Sequence, residues 1–162
     1  MAAWLVKTEP SVFSIEDLRR EGSTRWDLVR NYQARNFLCA MKPGERVAIY
    51  HSNDPAGVGV VGTAEVSKVA YPDPSQFDKK SEYFDPKATV EKPRWFSPEL
   101  RFVERLSRTV TLQELAESPL FKAHQLTARG NRLSVLPLTD AQLAGVLKLA
   151  RRADAVGISK KK

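Results

Sequence analysis

Six large aromatic residues of this 162-residue chain, Trp4, Trp26, Tyr32, Tyr50, Tyr83 and Trp95, stand close in sequence to Lys7, Arg30, Asn31, Arg35, Arg94 and the run Arg129-Gly130-Asn131-Arg132. Flat rings stack on nucleobases, amides read base edges and guanidinium groups hold phosphates, so this combination points to nucleic-acid recognition. Any one of these rings taken singly is more often a core residue.

Catalytic chemistry has weaker candidates. Cys39 falls inside an amphipathic stretch beside Leu38 and reads as a small buried hydrophobe rather than a nucleophile. His51 and Ser52 follow a strand end, but neighbours on a strand point to opposite sides and do not pair simply as base and nucleophile. Two histidines and one cysteine offer no metal-ligand cluster, so neither a metal nor a cofactor is expected. Gly57-Val-Gly59-Val-Val-Gly62 has the letters of a dinucleotide fingerprint, yet it lies in a β-branched run instead of opening a helix; it reads as a bulge or a close approach of two backbones.

The elements that must position these residues follow from pattern. Residues 3 to 7 read as a short buried strand, and Ser14 with Asp17 forms a capping box for a helix over 15 to 20 that Gly22 stops. Asn31 caps a helix over 32 to 41 with Ala34, Phe37, Leu38 and Met41 on one face. Strands are expected at 46 to 50, 58 to 69, 100 to 106 and 132 to 137, a capped turn at Thr111 to Glu114, and a closing helix from Thr139 with Leu143, Val146, Leu147 and Ala150 as its apolar stripe. Between Pro74 and Leu100 the periodicity vanishes, but Phe77, Tyr83, Phe84, Trp95 and Phe96 make disorder a poor explanation; these rings anchor a loop or line a pocket. Irregular strands interrupted by capped helices, without βαβ alternation, indicate an α+β domain built on a small barrel.

Length and composition agree with one domain over residues 1 to 150 followed by a basic C-terminal tail, 151 to 162, expected to be frayed. The net charge is +7, of which +4 lies in that tail. Such a tail attracts polyanions without sequence preference. No stretch is apolar enough for a membrane span or a signal peptide, so a cytoplasmic or nuclear monomer is expected.

Specific strings sharpen this outline. Trp4-Leu-Val-Lys7-Thr8-Glu9-Pro10, Trp26-Asp-Leu-Val-Arg30-Asn31-Tyr32-Gln-Ala-Arg35-Asn-Phe-Leu38, Tyr50-His51-Ser52, Tyr83-Phe84-Asp85-Pro86-Lys87, Pro93-Arg94-Trp95 and Gly130-Asn131-Arg132-Leu133-Ser134-Val135 occur in that order. Together they closely resemble the EVE domain family. The resemblance implies a PUA-like β-barrel with flanking short helices, related to the YTH domains, that binds DNA or RNA carrying a modified base, with cytosine derivatives favoured and no catalysis established for the domain alone. By motif, Lys7-Thr8-Glu9 and Trp26 look like the first strand edge and first wall of an aromatic cage, with Tyr83 and Trp95 as candidates for another wall and Asn31 and Tyr32 beside them. Glu9 would then accept from an exocyclic amino group, Ser52 or Asn131 would complete the edge contact, and Arg30, Arg35 and Arg129 would reach phosphates. Two other readings stay open: an enzyme acting on nucleic acid or a small molecule with His51 or Glu9 as acid or base, and a pocket for a free small ligand.

Overall fold

The computed structural model describes residues 2 to 160, with side chains through residue 152. Six strands, β1 (Ala3–Thr8), β2 (Ser23–Arg25), β3 (Arg46–His51), β4 (Gly59–Pro72), β5 (Phe96–Thr111) and β6 (Val135–Leu138), form one mixed sheet in the order β2-β5-β4-β3-β1-β6. Only the β1 and β3 pair is parallel; the other neighbours are antiparallel. Four helices, α1 (Ile15–Glu21), α2 (Tyr32–Ala40), α3 (Leu112–Glu117) and α4 (Asp140–Lys160), complete the α+β fold. It is a PUA-like barrel whose end strands β2 and β6 do not pair with each other. For the expected basic tail, the side chains from residue 153 onward lie outside the described residues.

Local chemistry sets most boundaries. Ser14 and Asp17 close a reciprocal capping box on α1, Thr111 and Glu114 do the same for α3, and Thr139 and Gln142 exchange the equivalent pair of bonds at the start of α4. The Asn31 side chain accepts from the Ala34 N–H, 2.9 Å away, and so starts α2.

Gly59 and Gly62 lie inside β4, where the partner strand passes too close for a side chain: a Cβ on Gly62 would come within 2.7 Å of the Glu104 carbonyl oxygen and 2.6 Å of Ile15 Cδ1. The glycine run is thus a close backbone approach beside bulges that shift the register between β4 and β5.

Two elements exceed their local pattern. β5 begins four residues before its expected start and ends five after, because pairing with the long β4 carries the ladder to both ends, Phe96 on Pro72 and Thr111 on Gly59. Three-residue β2 has no periodicity to read. The core runs from Leu5, Val6 and Ile49 through Val66 and Leu100 to Phe121 and Leu136, and Trp4 donates from its ring nitrogen to buried Glu45 across 2.9 Å. Cys39 corrects the sequence reading: it is exposed, and partial desolvation raises its thiol pKa, the opposite of what a nucleophile needs.

Candidate functional site

A cleft of about 540 Å³ opens at one end of the sheet. The end of β1 contributes Lys7 and Thr8, the β1–α1 connection Val12 and Phe13, β2 Thr24 and Arg25, the β2–α2 connection residues 26 to 31, the long β4–β5 connection Tyr83, and the residue before β6 Ser134. The size is typical of a small-molecule or base pocket.

Three bonds fix the wall that carries most of the chemistry. The Trp26 N–H donates to the Pro98 carbonyl at 2.8 Å, the Leu28 N–H donates to Asp73 Oδ2 at 2.9 Å, and Asn31 begins α2. Trp26 packs edge-on against Phe13, with ring centroids 6.1 Å apart, and is 8% exposed, so it is both cleft wall and core.

Of the four charged residues that line the cleft, Arg30 is held by several hydrogen bonds, whereas Asp27 and Lys7 make no side-chain hydrogen bond to another described residue. Asp27 is the one acid among the lining residues; it is ion-paired with Arg25 at 3.8 Å, and no other described residue donates a hydrogen bond to its carboxylate. Burial, and then the neighbouring Asp73 charge, raise its pKa above the ordinary aspartate value, against the opposing pull of Arg25. Half-buried Lys7 has no carboxylate within ion-pair distance among the described residues; its ammonium lies 5.4 Å from the centroid of the Tyr50 ring, and burial lowers its pKa. Both groups are therefore biased toward their neutral forms while remaining free to bond.

Beyond the cleft, a second aromatic cluster is closed on itself. Tyr32 stacks on Trp95 at 4.9 Å, Trp95 donates from its ring nitrogen to Asp85 across 2.8 Å, and Arg94 bonds the Tyr32 hydroxyl. Arg30 donates to the Tyr83 carbonyl, Ser75 and Asp73, while Arg35 donates to the Arg94 carbonyl and Asn36. Buried Gln76 fills all its bonding capacity on Asp73, Arg94 and Trp95 backbone groups. Burial alone would raise the Asp73 pKa, but bonds from Ser75, the Leu28 N–H and Arg30 outweigh it and hold it low.

The expected site residues thus divide. Lys7, Trp26, Arg30, Asn31 and Tyr83 meet at the cleft. Tyr32 and Trp95 belong to the closed cluster and do not line it, and the half-buried Arg30 and Arg35 each donate to internal partners. Glu9 is exposed outside the lining, accepting from Asn53 at 2.9 Å, and Ser52 is half-buried beside it with its N–H on the Thr8 carbonyl. Arg129 and Asn131 line a separate shallow recess of about 370 Å³ that shares Asn31 with the cleft; Arg129 is exposed. Asp27, Leu28 and Phe13 are lining residues that sequence reasoning passed over, although Asp27 and Leu28 stand inside the quoted Trp26 string.

His51 is placed for structure. It is 5% exposed, its Nε2 accepts from the Ile15 N–H at 3.0 Å, and its Nδ1 lies 3.0 Å from Asp54 Oδ2. The first bond requires Nε2 to be without a proton, so both nitrogens are occupied, Nε2 at the start of α1 and Nδ1 on Asp54 in the β3–β4 connection. Among the described residues no group of three or more His, Cys, Asp or Glu side chains could hold a metal ion.

The profile of the EVE domain matches residues 2–149. The chain belongs to this family. The EVE domain here is 39% identical to human thymocyte nuclear protein 1 over 92% of this chain and 74% of the human protein, and 40% identical to the chicken protein over 90% and 67%. A Pseudomonas syringae protein of known structure superposes on this EVE domain with a TM-score of 0.87 at 44% identity, covering 92% of this chain and 99% of that one. Human THYN1 in complex with 5-methylcytosine containing DNA superposes with a TM-score of 0.81 at 39% identity, covering 93% and 98%.

Proposed function

We propose that this EVE domain reads a modified base, a cytosine derivative in preference, by taking the base out of its stack into the cleft without transforming it. The observation that carries this reading is that Asp27, whose one ion-pair partner is Arg25 at 3.8 Å, and Lys7 stand beside the Trp26 wall with no hydrogen bond from either side chain to another described residue. A half-buried charged group without hydrogen bonds is costly, and a ligand with complementary groups lowers the cost. Cytosine presents a donor at N4 and acceptors at N3 and O2 along one edge. Asp27 accepts from N4, and Lys7 donates toward O2. Thymine, with a carbonyl in place of the amino group, leaves Asp27 without its donor. The human relative at 39% identity bound to DNA containing 5-methylcytosine supports the same ligand class. The occupied nitrogens of His51 and the Asn53 bond on Glu9 weigh against either as an acid or base.

The test is a binding series at fixed salt with short oligonucleotides that differ at one base: cytosine, 5-methylcytosine and thymine. A buried methyl is worth about 1 kcal/mol, so 5-methylcytosine should bind roughly fivefold tighter than cytosine. Thymine, which shares the methyl, should bind more weakly than both. Equal binding of all three, or oligonucleotide recovered chemically altered, overturns the reading. Binding to the free nucleoside that matches the oligonucleotide and ignores salt would make the cleft a small-ligand pocket.

A further inference from the structure

Two described residues other than glycine have a positive φ: Asn53 at 54° and Leu28 at 67°. Asparagine visits this region readily, leucine does not, and the left-handed conformation costs a residue with a Cβ roughly 1 kcal/mol. The buried carboxylate of Asp73 nevertheless holds Leu28 there by accepting its N–H at 2.9 Å. The result is a leucine side chain that lines the cleft yet is 38% exposed, which places it at the mouth. Val12, from the β1–α1 connection, lines the same cleft and is 76% exposed. Neither exposure nor backbone geometry makes leucine a stabilising choice, since glycine would relieve the strain and asparagine would tolerate it.

We propose that Leu28, with Val12 lining the same cleft, is a wedge that enters a duplex as the base leaves and fills the gap between the flanking base pairs. Extracting a base leaves a hole whose faces are apolar, and proteins that unstack a base step commonly insert a rigid aliphatic side chain there. The strained backbone suits this task because it is pinned by a bond to the buried Asp73 carboxylate: the side chain is aimed before the nucleic acid arrives, with little ordering left to do at binding. The inference rests on the base-extraction reading above. It adds that the protein distinguishes duplex from single strand through Leu28, whose role is positioning and gap filling rather than reading the edge.

The experiment compares the parent with Leu28→Gly and Leu28→Asn on one 5-methylcytosine sequence, as duplex and as single strand, alongside melting temperature. Because the wedge matters only where a stack must be held open, both variants should lose about tenfold on the duplex and less than about twofold on the single strand, with the melting temperature equal or raised. An equal loss on both substrates would make Leu28 an ordinary pocket wall, and an unchanged duplex affinity would leave it without a role in binding; either overturns the wedge. The parent's ratio for 5-methylcytosine over cytosine tests the base reading separately. If that ratio is one while the duplex-selective loss persists, the wedge stands and the modified-base reading falls. A parent that binds no duplex removes the wedge, and the base reading is then decided by the same ratio on the single strand.

Discussion

The cleft and the Tyr32–Trp95 cluster are made from the same residue types, and they behave in opposite ways. In the cluster every polar group found on the aromatic faces has a partner: Trp95 on Asp85, Arg30 on Tyr83 and Ser75, Arg35 on the Arg94 carbonyl, and Gln76 on four backbone groups. In the cleft, Asp27 and Lys7 face the Trp26 wall with no hydrogen bond from another side chain. A satisfied polar network rigidifies and specifies a loop, whereas an unsatisfied one gains most from a ligand. Aromatic and arginine content therefore does not tell an anchor from a binding site; the state of the polar partners does.

Asp73 joins the two regions, since it accepts from Arg30 and Ser75 on one side and from the Leu28 N–H on the other. Asp73→Ala should be the most damaging single change. Arg30, 21% exposed along its side chain, would keep Tyr83 and Ser75 but lose its anion, and Leu28 would lose the bond that holds its positive φ. The expected cost is about 2 to 4 kcal/mol, below that of breaking a fully buried pair because part of the network survives. Thermal unfolding checks this, with a fall of roughly 5 to 10 °C expected for a chain of this size. Base binding should fall together with stability. A variant that melts as the parent does would mean the two regions are held independently.

Asp27→Asn should separate the regions. The substitution keeps the shape, replaces a carboxyl by an amide, and touches none of the cluster's bonds, so melting should not fall. Affinity for 5-methylcytosine should drop by about 1 to 3 kcal/mol, the range for a hydrogen bond to a charged group. Thymine should gain relative to the parent, because the amide can donate to its carbonyl. Titrations of both oligonucleotides on both proteins measure this, and an equal loss for the two bases would remove Asp27 from edge reading.

Acidity sharpens the contrast, because the two carboxylates are shifted in opposite directions. Asp73 has its pKa lowered, so the stability it contributes is present above the ordinary aspartate value near 4 and is lost as pH falls through its folded value. Asp27 has its pKa raised, so its contribution is fully present below the ordinary value and is lost as pH rises through its folded value. Acid melting curves of the parent should therefore carry a loss that Asp73→Ala lacks, and Asp27→Asn should retain it. A parent curve flat down to the acid limit would contradict the lowered Asp73 value.

The capped helices were legible because Ser14, Asn31, Thr111 and Thr139 act within three residues of themselves, and the glycines of β4 were legible because nothing larger fits the close approach. What was not legible depends on partners distant in sequence. Arg30 and Asp73 are 43 positions apart, and Tyr32 and Arg94 are 62 apart, so nothing local marks these arginines as already occupied. Asp27 was overlooked for the converse reason: beside Trp26 it reads as a solvent-facing acid, and only the folded arrangement shows that burial and the lack of donors set it apart.

Glu9→Gln should have the smallest effect and therefore tests most cleanly whether partner satisfaction is the right criterion. The motif surrounding Glu9 suggests an edge-reading acceptor, and a carboxylate at the end of β1 lies only two residues beyond Lys7, which does line the cleft. Yet Glu9 is exposed, and the Asn53 amide already donates to its Oε1 at 2.9 Å. A surface hydrogen bond of this kind contributes little in water, and glutamine keeps an acceptor oxygen in place for Asn53, so the change in stability should stay within about 0.5 kcal/mol. Affinities for cytosine, 5-methylcytosine and thymine should remain in the parent's ratio. If Glu9→Gln instead weakens the cytosine ligands selectively while Asp27→Asn leaves them alone, the acceptor that reads the base is on β1's end rather than in the β2–α2 connection. The loop carrying Glu9 would then have to move over the cleft when nucleic acid binds, breaking the Asn53 bond as it does so.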